Sequence, residues 1–347
     1  MTTTTGIRPT MTAAVYRHFG APDVVRLEQL SIPAPGPGDV LIKVHASTVS
    51  VADHRARSRD IPAGLGLLAA FGLGVFRPSR RILGMDAAGV VEAVGASVTA
   101  FAPGDRVIAM TGGAFGGHAE YVCLPQDGAI ARAPDGMSFE EAVTLVFGGV
   151  TAHGFFRNVT IRPGTTVLVN GASGAVGTAA IQLAKDLGAQ VTAVTSGANA
   201  ELVTALGADR VIDYTKQDFT ASGDSYDVIV DCVGNAPFDK VGTAINPGGA
   251  LLLVISDLRG MLRSRGQSRR SGKLVTFDVG KPSAEDLAFL VNLADSGRFR
   301  AVIDRSYDLA DVVEAHRYVD TGRKKGNVVL RITDETLRPQ SGSMHRT

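Results

Sequence analysis

Three glycines, Gly171, Gly174 and Gly177, punctuate the stretch VLVNGASGAVGTAAIQLAKDLGAQVTAVTS between Val167 and Ser196. They join an apolar run to a helix-like pattern, so they sit where the chain turns from strand into helix. Such a turn points backbone N–H groups from a helix N-terminus at an anion, and glycine lets that anion approach the main chain closely. In the G-x-G-x-x-G frame the first position is Ala172, followed by Gly174 and Gly177. A glycine motif alone is weak evidence, and a tight strand–helix turn without ligand is the plain alternative. The setting favours a dinucleotide: the turn follows an apolar strand, opens a long apolar-faced helix and begins a unit of about thirty residues. Ser173, Gly174, Ala175, Val176 and Gly177 are the residues expected against its pyrophosphate.

The second apolar run ends VTAVTSGANA, with no acid where an NAD site places Asp or Glu to hold the ribose 2′-hydroxyl. Thr195, Ser196 and Asn199 offer neutral hydrogen bonds there, and no Arg or Lys pairs with a dianion in that loop. By exclusion the expected cofactor is NADPH (NADP). Elsewhere the chemistry is sparse. Cys123 and Cys232 lie far apart in no metal-like spacing, which fits a reducing compartment, the cytoplasm. With 35 basic and 34 acidic residues the chain has no global field to recruit nucleic acid or an anionic membrane. One local patch exists: LRGMLRSRGQSRRSGK, Leu258 to Lys273, carries six basic residues among sixteen and reads as a solvated loop. An anion-binding lid and an RNA patch are the sharper alternatives, and RNA is the weaker because no aromatic residue interrupts the run to stack a base.

The positioning elements follow from the pattern of the whole chain. Its 347 residues exceed what one core usually supports, so two domains are expected. From Met11 to about Gly117 short β-branched runs are broken by Pro and Gly, giving a β-rich half. A capped helix is expected from Ser138, with Glu140 and Glu141 in its first turn. Strands then read at 166–170, 190–195, 210–213, 227–232 and 249–255, alternating with helices stopped by glycine, which implies a parallel doubly wound sheet. The last helix, DLADVVEAHRYVDTG, and strand, GNVVLRIT, have no βα continuation and are expected to return to the first half. The Thr-rich residues 1–10 read as a disordered extension without a secretory signal. The apolar stretch Ile61 to Phe76 is too short and glycine-rich to span a bilayer, so no membrane insertion is expected. It either lines a lipophilic pocket or packs on the β-rich half.

Several ordered blocks together carry a family resemblance over nearly the whole chain: GMDAAGVVEAVGASVTAFAPGDRVIAM, GGHAEYV, the glycine-turn block and LGADRVIDY. The chain resembles the medium-chain dehydrogenase/reductase superfamily, and within it the zinc-independent quinone oxidoreductase-like branch. That resemblance implies an α/β protein with two parts: a GroES-like β-rich catalytic domain, 11–144 and 302–347, and a Rossmann NADP-binding domain, 145–301, with the active cleft between them. It also implies a homodimer.

Zinc members of the superfamily use a Cys, a Gly-His-Glu block and often a four-Cys lobe, since thiolate and imidazole suit tetrahedral Zn²⁺. Here Ser50 or Val51 replaces the cysteine, Met85 and Asp86 stand for the His and Glu, and the lobe is absent. His45, His54 and His118 remain as scattered candidates, and the expectation is no metal. Without a Lewis acid, conjugate reduction of a lipophilic quinone or α,β-unsaturated carbonyl is the suitable chemistry, needing chiefly a positioned hydride donor. The chain departs from its relatives at that point, with Ser50 for a common Asn and Arg55 for a common Tyr. Ser50 is the one catalytic candidate, as a donor to the substrate oxygen, and an ordinary strand-end serine is its plain alternative. Asp53 reads as structural. The resemblance further implies cofactor contacts from Tyr214, from Cys232, Val233 and Gly234, from Ile255 and Ser256, and from Asn327, which stands where a Lys is common. The remaining alternatives are a zinc-free alcohol or carbonyl reductase, and a non-catalytic NADPH-binding sensor or RNA-associated protein.

Overall fold

The computed structural model describes residues 9–333. The expected extension therefore lies outside the described residues except for Pro9 and Thr10, and Thr10 already opens a strand, Thr10–Tyr16.

One sheet is wholly parallel. Its spatial order runs Arg210–Asp213, Gln190–Thr195, Thr166–Asn170, Tyr226–Asp231, Ile245–Leu253 and Leu274–Thr276. The chain starts at Thr166–Asn170, builds outward in one direction, then returns to build from Tyr226–Asp231 in the other. The crevice between those two strands, at their carboxyl ends, is the switch point where such sheets bind ligands. Helix Ala175–Asp186 packs with its apolar face inward, burying Val176, Ala180, Ile181, Leu183 and Ala184. The second sheet is mainly antiparallel, in the order Ile303–Asp308, Asn327–Arg331, Asp39–Val49, Asp86–Val94, Arg106–Met110 and Ile130–Arg132, with Tyr121–Pro125 also on Asp39–Val49. The C-terminal strand does return: Val328 to Arg331 pair antiparallel with Val49 to Ala46. Arg57 and Asp320, from opposite ends of the chain, close this half. The guanidinium of Arg57, fully buried, donates to both Asp320 oxygens (2.7 and 2.6 Å) and to Gly20 O at 2.6 Å.

Three sequence expectations need correction. The basic run is a helix, Leu258–Ser271, not a loop. The Asp257 carboxylate caps it by accepting from Gly260 N at 2.7 Å, and Gly272 ends it in the left-handed region. The β-rich half also contains helices Val51–Ser58 and Gly66–Leu73. Finally, the two strands after the switch run 226–231 and 245–253, so Cys232 and Ile255 stand just past the strand ends, and the sheet gains Leu274–Thr276 as an edge. The helix from Ser138 forms as expected, with a full capping box between Ser138 and Glu141.

Candidate active site

The glycine turn occupies the switch point. Gly171 adopts φ +78°, and a Cβ there would meet the Val233 side chain at 2.7 Å, so this turn and the Cys232–Gly234 loop face each other across the crevice. Gly177 lies against the Gly171 carbonyl and Ala172 backbone so tightly that no side chain fits, which seats the helix on its own strand. Gly174 differs: a Cβ there would have no neighbour nearer than 3.6 Å. Gly177 therefore serves packing, while Gly174 leaves open space at the helix N-terminus, the cradle a pyrophosphate needs. Ser173, Ala175 and Val176 complete that turn. The turn is braced from the next strand, since Thr195 Oγ1 and Asn199 Nδ2 each reach Ser173 Oγ at 3.0 Å.

Past the end of strand Gln190–Thr195, Ser196 is half-buried, and Tyr214, 62% exposed, is tied by its amide to Thr195 O at 3.1 Å. Asp213, in register with Thr195, was not weighed from the sequence because it sits one strand further out. Its carboxyl is held below the ordinary range by the Thr215 hydroxyl and amide, with smaller help from the Gly197 amide and Lys216 at 3.7 Å. Opposite, Asp231 is fully buried and shapes the facing loop: it accepts from Val233 N (3.1 Å), Gly234 N (3.0 Å), Ala236 N (3.0 Å) and Asn170 Nδ2 (2.8 Å). Gly234 (φ +88°) in turn abuts Ile255, which brings Ile255 and Ser256 to the same rim. Burial pushes the Cys232 thiol up, so it stays neutral.

The other half reaches this turn directly. Gly326 N donates to Ser173 O at 2.7 Å, and Gly326 bridges Gly174. Asn327 is close behind but turned away, its side chain donating to Val302 O at 3.2 Å. Lys324, absent from the expected site, places its ammonium on Gly326 O at 2.7 Å, and burial lowers it to about 8 despite Asp304.

In the β-rich half Ser50 caps helix Val51–Ser58. Its hydroxyl donates to Asp53 Oδ2 at 2.6 Å and accepts from Asp53 N at 3.3 Å. Its single proton is thus committed to Asp53, which also accepts from Gly84 N at 2.7 Å, and both residues hold the loop. Asp86 is fully buried. Its oxygens accept from Thr48 N (2.7 Å), Thr48 Oγ1 (2.5 Å) and Ser47 Oγ (3.1 Å), and burial outweighs those bonds to push its carboxyl up to about 7, with nearby Asp53 adding to the rise. The three histidines are dispersed: His45 stacks on Phe139, His54 binds Asp320 at 2.7 Å and His118 meets Thr48 O at 3.0 Å.

Two family models match: the alcohol dehydrogenase GroES-like domain over residues 36–135, and zinc-binding dehydrogenase over residues 206–330. The chain is 32% identical over 315 residues to the chloroplastic quinone-oxidoreductase QR1 of Triphysaria versicolor, covering 87% of this chain and 92% of that protein. The chain belongs to the medium-chain dehydrogenase/reductase superfamily, in its quinone oxidoreductase-like branch. Among other relatives, the chloroplastic NADPH-dependent alkenal/one oxidoreductase of Arabidopsis thaliana is 30% identical over 333 residues, 92% of this chain and 79% of that one. The solved quinone oxidoreductase of Coxiella burnetii superposes with a TM-score of 0.83 at 28% identity, covering 94% of this chain and 100% of that chain.

This oxidoreductase fold implies a nicotinamide cofactor, and the open cradle at Gly174 fits one. Zinc, which one family model's description mentions, does not fit the corresponding positions. Ser50 and Met85 offer neither thiolate nor imidazole, and the Asp86 oxygens are already engaged by Ser47 and Thr48. Among the described residues no group of three or more His, Cys, Asp or Glu side chains is placed to hold a metal ion.

Proposed function

We propose that this oxidoreductase uses NADPH to reduce quinones or α,β-unsaturated carbonyls. The observation that carries the reading is the pairing of an open dinucleotide cradle at Gly174 with a catalytic-side turn, Ser50–Val51 and Met85–Asp86, whose donors are spent on structure rather than available to a metal. When bound, the nicotinamide supplies hydride, which adds readily to the electron-poor carbon of an enone or quinone. The chain's part is to orient: the Ser173 braces hold the turn, Asp231 fixes the Val233–Gly234 loop, and the Ile255–Ser256 rim bounds the nicotinamide side. The preference for NADPH rests on neutral Ser196 and Asn199 with Tyr214 beside them. Asp213 limits it, since that carboxylate lies close to the same loop with, among the described residues, Lys216 alone as an opposing charge. A similar relative is named as NADPH-dependent.

The deciding experiment is a panel of quinones and enones with each reduced cofactor, with product analysis. Saturation of the carbon–carbon bond with the carbonyl retained supports the proposal, whereas an alcohol product identifies a carbonyl reductase. Cofactor binding without turnover identifies a sensor, and stoichiometric zinc required for activity rejects the metal-free reading. We further take the protein to act in the cytoplasm as a homodimer, docked through the sheet edge Leu274–Thr276, beside which Phe277 is 41% exposed. Among the described residues no helix is long and apolar enough to cross a membrane. Light scattering on the purified chain tests the dimer.

A further inference from the structure

A groove of about 490 Å³ opens between the two halves, lined by Ala63 and Gly64 from one and by Asp257, Leu258, Arg259, Leu262 and Arg263 from the other. Its floor is built, not accidental. Leu258 N donates to Ala63 O at 3.0 Å, and Gly64, at φ +81°, lets the backbone approach so closely that a Cβ there would press on Leu258 at 2.8 Å. Asp257 directly follows the Ile255–Ser256 rim, and a Cβ on Gly260 would press on Ser256 Oγ, so the helical wall of the groove starts against that rim. Its walls are apolar, and Leu262 stands 74% exposed.

The charges at its mouth are unbalanced. Arg259 and Arg263 lie four residues apart on one face of the helix Leu258–Ser271, and Arg270, seven further on from Arg263, extends that face. Among the described residues Arg259 has no acidic partner, and Arg263 has only the exposed Asp239 at 3.5 Å. The acid lining the groove, Asp257, already accepts the Gly260 amide as a helix cap. An apolar channel ending in two under-paired guanidiniums is complementary to an apolar arm that ends in an anion.

We propose that this groove is a subsite for the distal arm of the substrate, and that the arm is an aliphatic chain terminating in a phosphate or carboxylate held by Arg259 and Arg263. The proposal rests on the enone or quinone reading for the reacting end, but the groove can be tested without turnover. Octyl phosphate and octanoate share the arm with neutral octanol. Calorimetric titration into the full chain with NADP present should give about ten-fold tighter binding for either anion than for octanol, the scale of one charge-assisted contact. The gap should narrow as salt rises. The double variant Arg259→Gln, Arg263→Gln should erase it while leaving octanol affinity unchanged. Tighter binding of octyl phosphate than octanoate assigns a phosphate terminus, and the reverse a carboxylate. Equal binding of anions and octanol, or an unaltered gap in the double variant, overturns the proposal. If the anions bind as expected but no enone or quinone is reduced, the groove stands and the reaction assignment fails.

Discussion

At the scale of single residues, Asp86 makes the sharpest prediction. Its carboxyl sits at about 7 in the folded chain because burial outweighs its three hydrogen bonds, whereas an unfolded Asp titrates near 3.9. Between those values the folded state holds a proton that the unfolded state releases. This contribution to stability is therefore complete below about pH 4, declines by about 1.4 kcal/mol per pH unit, and is gone above about pH 7. Asp86→Asn keeps an acceptor for Thr48 N and removes the titration, so its melting temperature should gain on wild type more at pH 8 than at pH 5.5. Parallel melts at the two pH values check this, and an equal difference would show that the carboxyl does not titrate in that window. At the other end of the crevice, Ser196→Asp places a carboxylate where a 2′-phosphate would lie and should invert the cofactor preference. Fluorescence titration with NADPH and NADH reads it, and wild type binding NADH at least as tightly as NADPH would show the missing acid to be the wrong clue.

Among elements, the glycine turn separates packing from binding. Gly177→Ala forces a methyl group into the Gly171 carbonyl and the Ala172 backbone, and overpacking of this kind costs about 1–3 kcal/mol. Gly174→Ala makes only an ordinary contact with the Gly171 carbonyl in the free protein, so its melting temperature should stay within the wild-type range while NADPH affinity falls at least ten-fold. Thermal melts and cofactor titrations on the two variants distinguish the roles, and both behaving alike would refute the division. The turn was legible from sequence because strand, glycines and helix all reported locally on one another. The helix Leu258–Ser271 was not, because its apolar residues, Leu258, Met261 and Leu262, stop after the first turn and its interior carries glycines and serines whose hydroxyls bond its own carbonyls, as Ser268 does to Ser264 O. Its signals were at the ends: Asp257 as cap, Arg269 and Arg270 in the last turn, Gly272 beyond.

Across the whole molecule, what sequence reading missed was what only distance in the chain creates. Sheet order and the return of the last strand followed from pattern, and the local Ser50–Asp53 capping box agrees with Asp53 reading as structural, but the bond from Asn170 Nδ2 to Asp231 and the approach of Gly326 and Lys324 to the glycine turn join residues far apart in the chain, which no local rule sets. The Arg57–Asp320 pair is another such contact, spanning the first half from end to end. Arg57→Ala empties a fully buried site and leaves Gly20 O without its donor, while Asp320 keeps His54 and its access to solvent, so the cost in a urea titration should be about 1–3 kcal/mol, with Arg57→Lys recovering only part because one ammonium cannot span both partners. The contact of Gly326 with the glycine turn has a consequence of its own. The turn that would receive the pyrophosphate is clasped by the strand that closes the opposite sheet, so the halves cannot part at that corner without breaking the Gly326 N to Ser173 O bond. The other end of the crevice carries a backbone bond between the halves too, Leu258 N to Ala63 O, so an opening breaks one of the two, and a cofactor seated on the glycine turn favours keeping the Gly326 contact as the hinge. Substrate would enter as through a door hung on its cofactor side. The Gly326 amide should exchange its hydrogen slowly and slower still with NADPH present, while the Leu258 amide exchanges as often as the door opens.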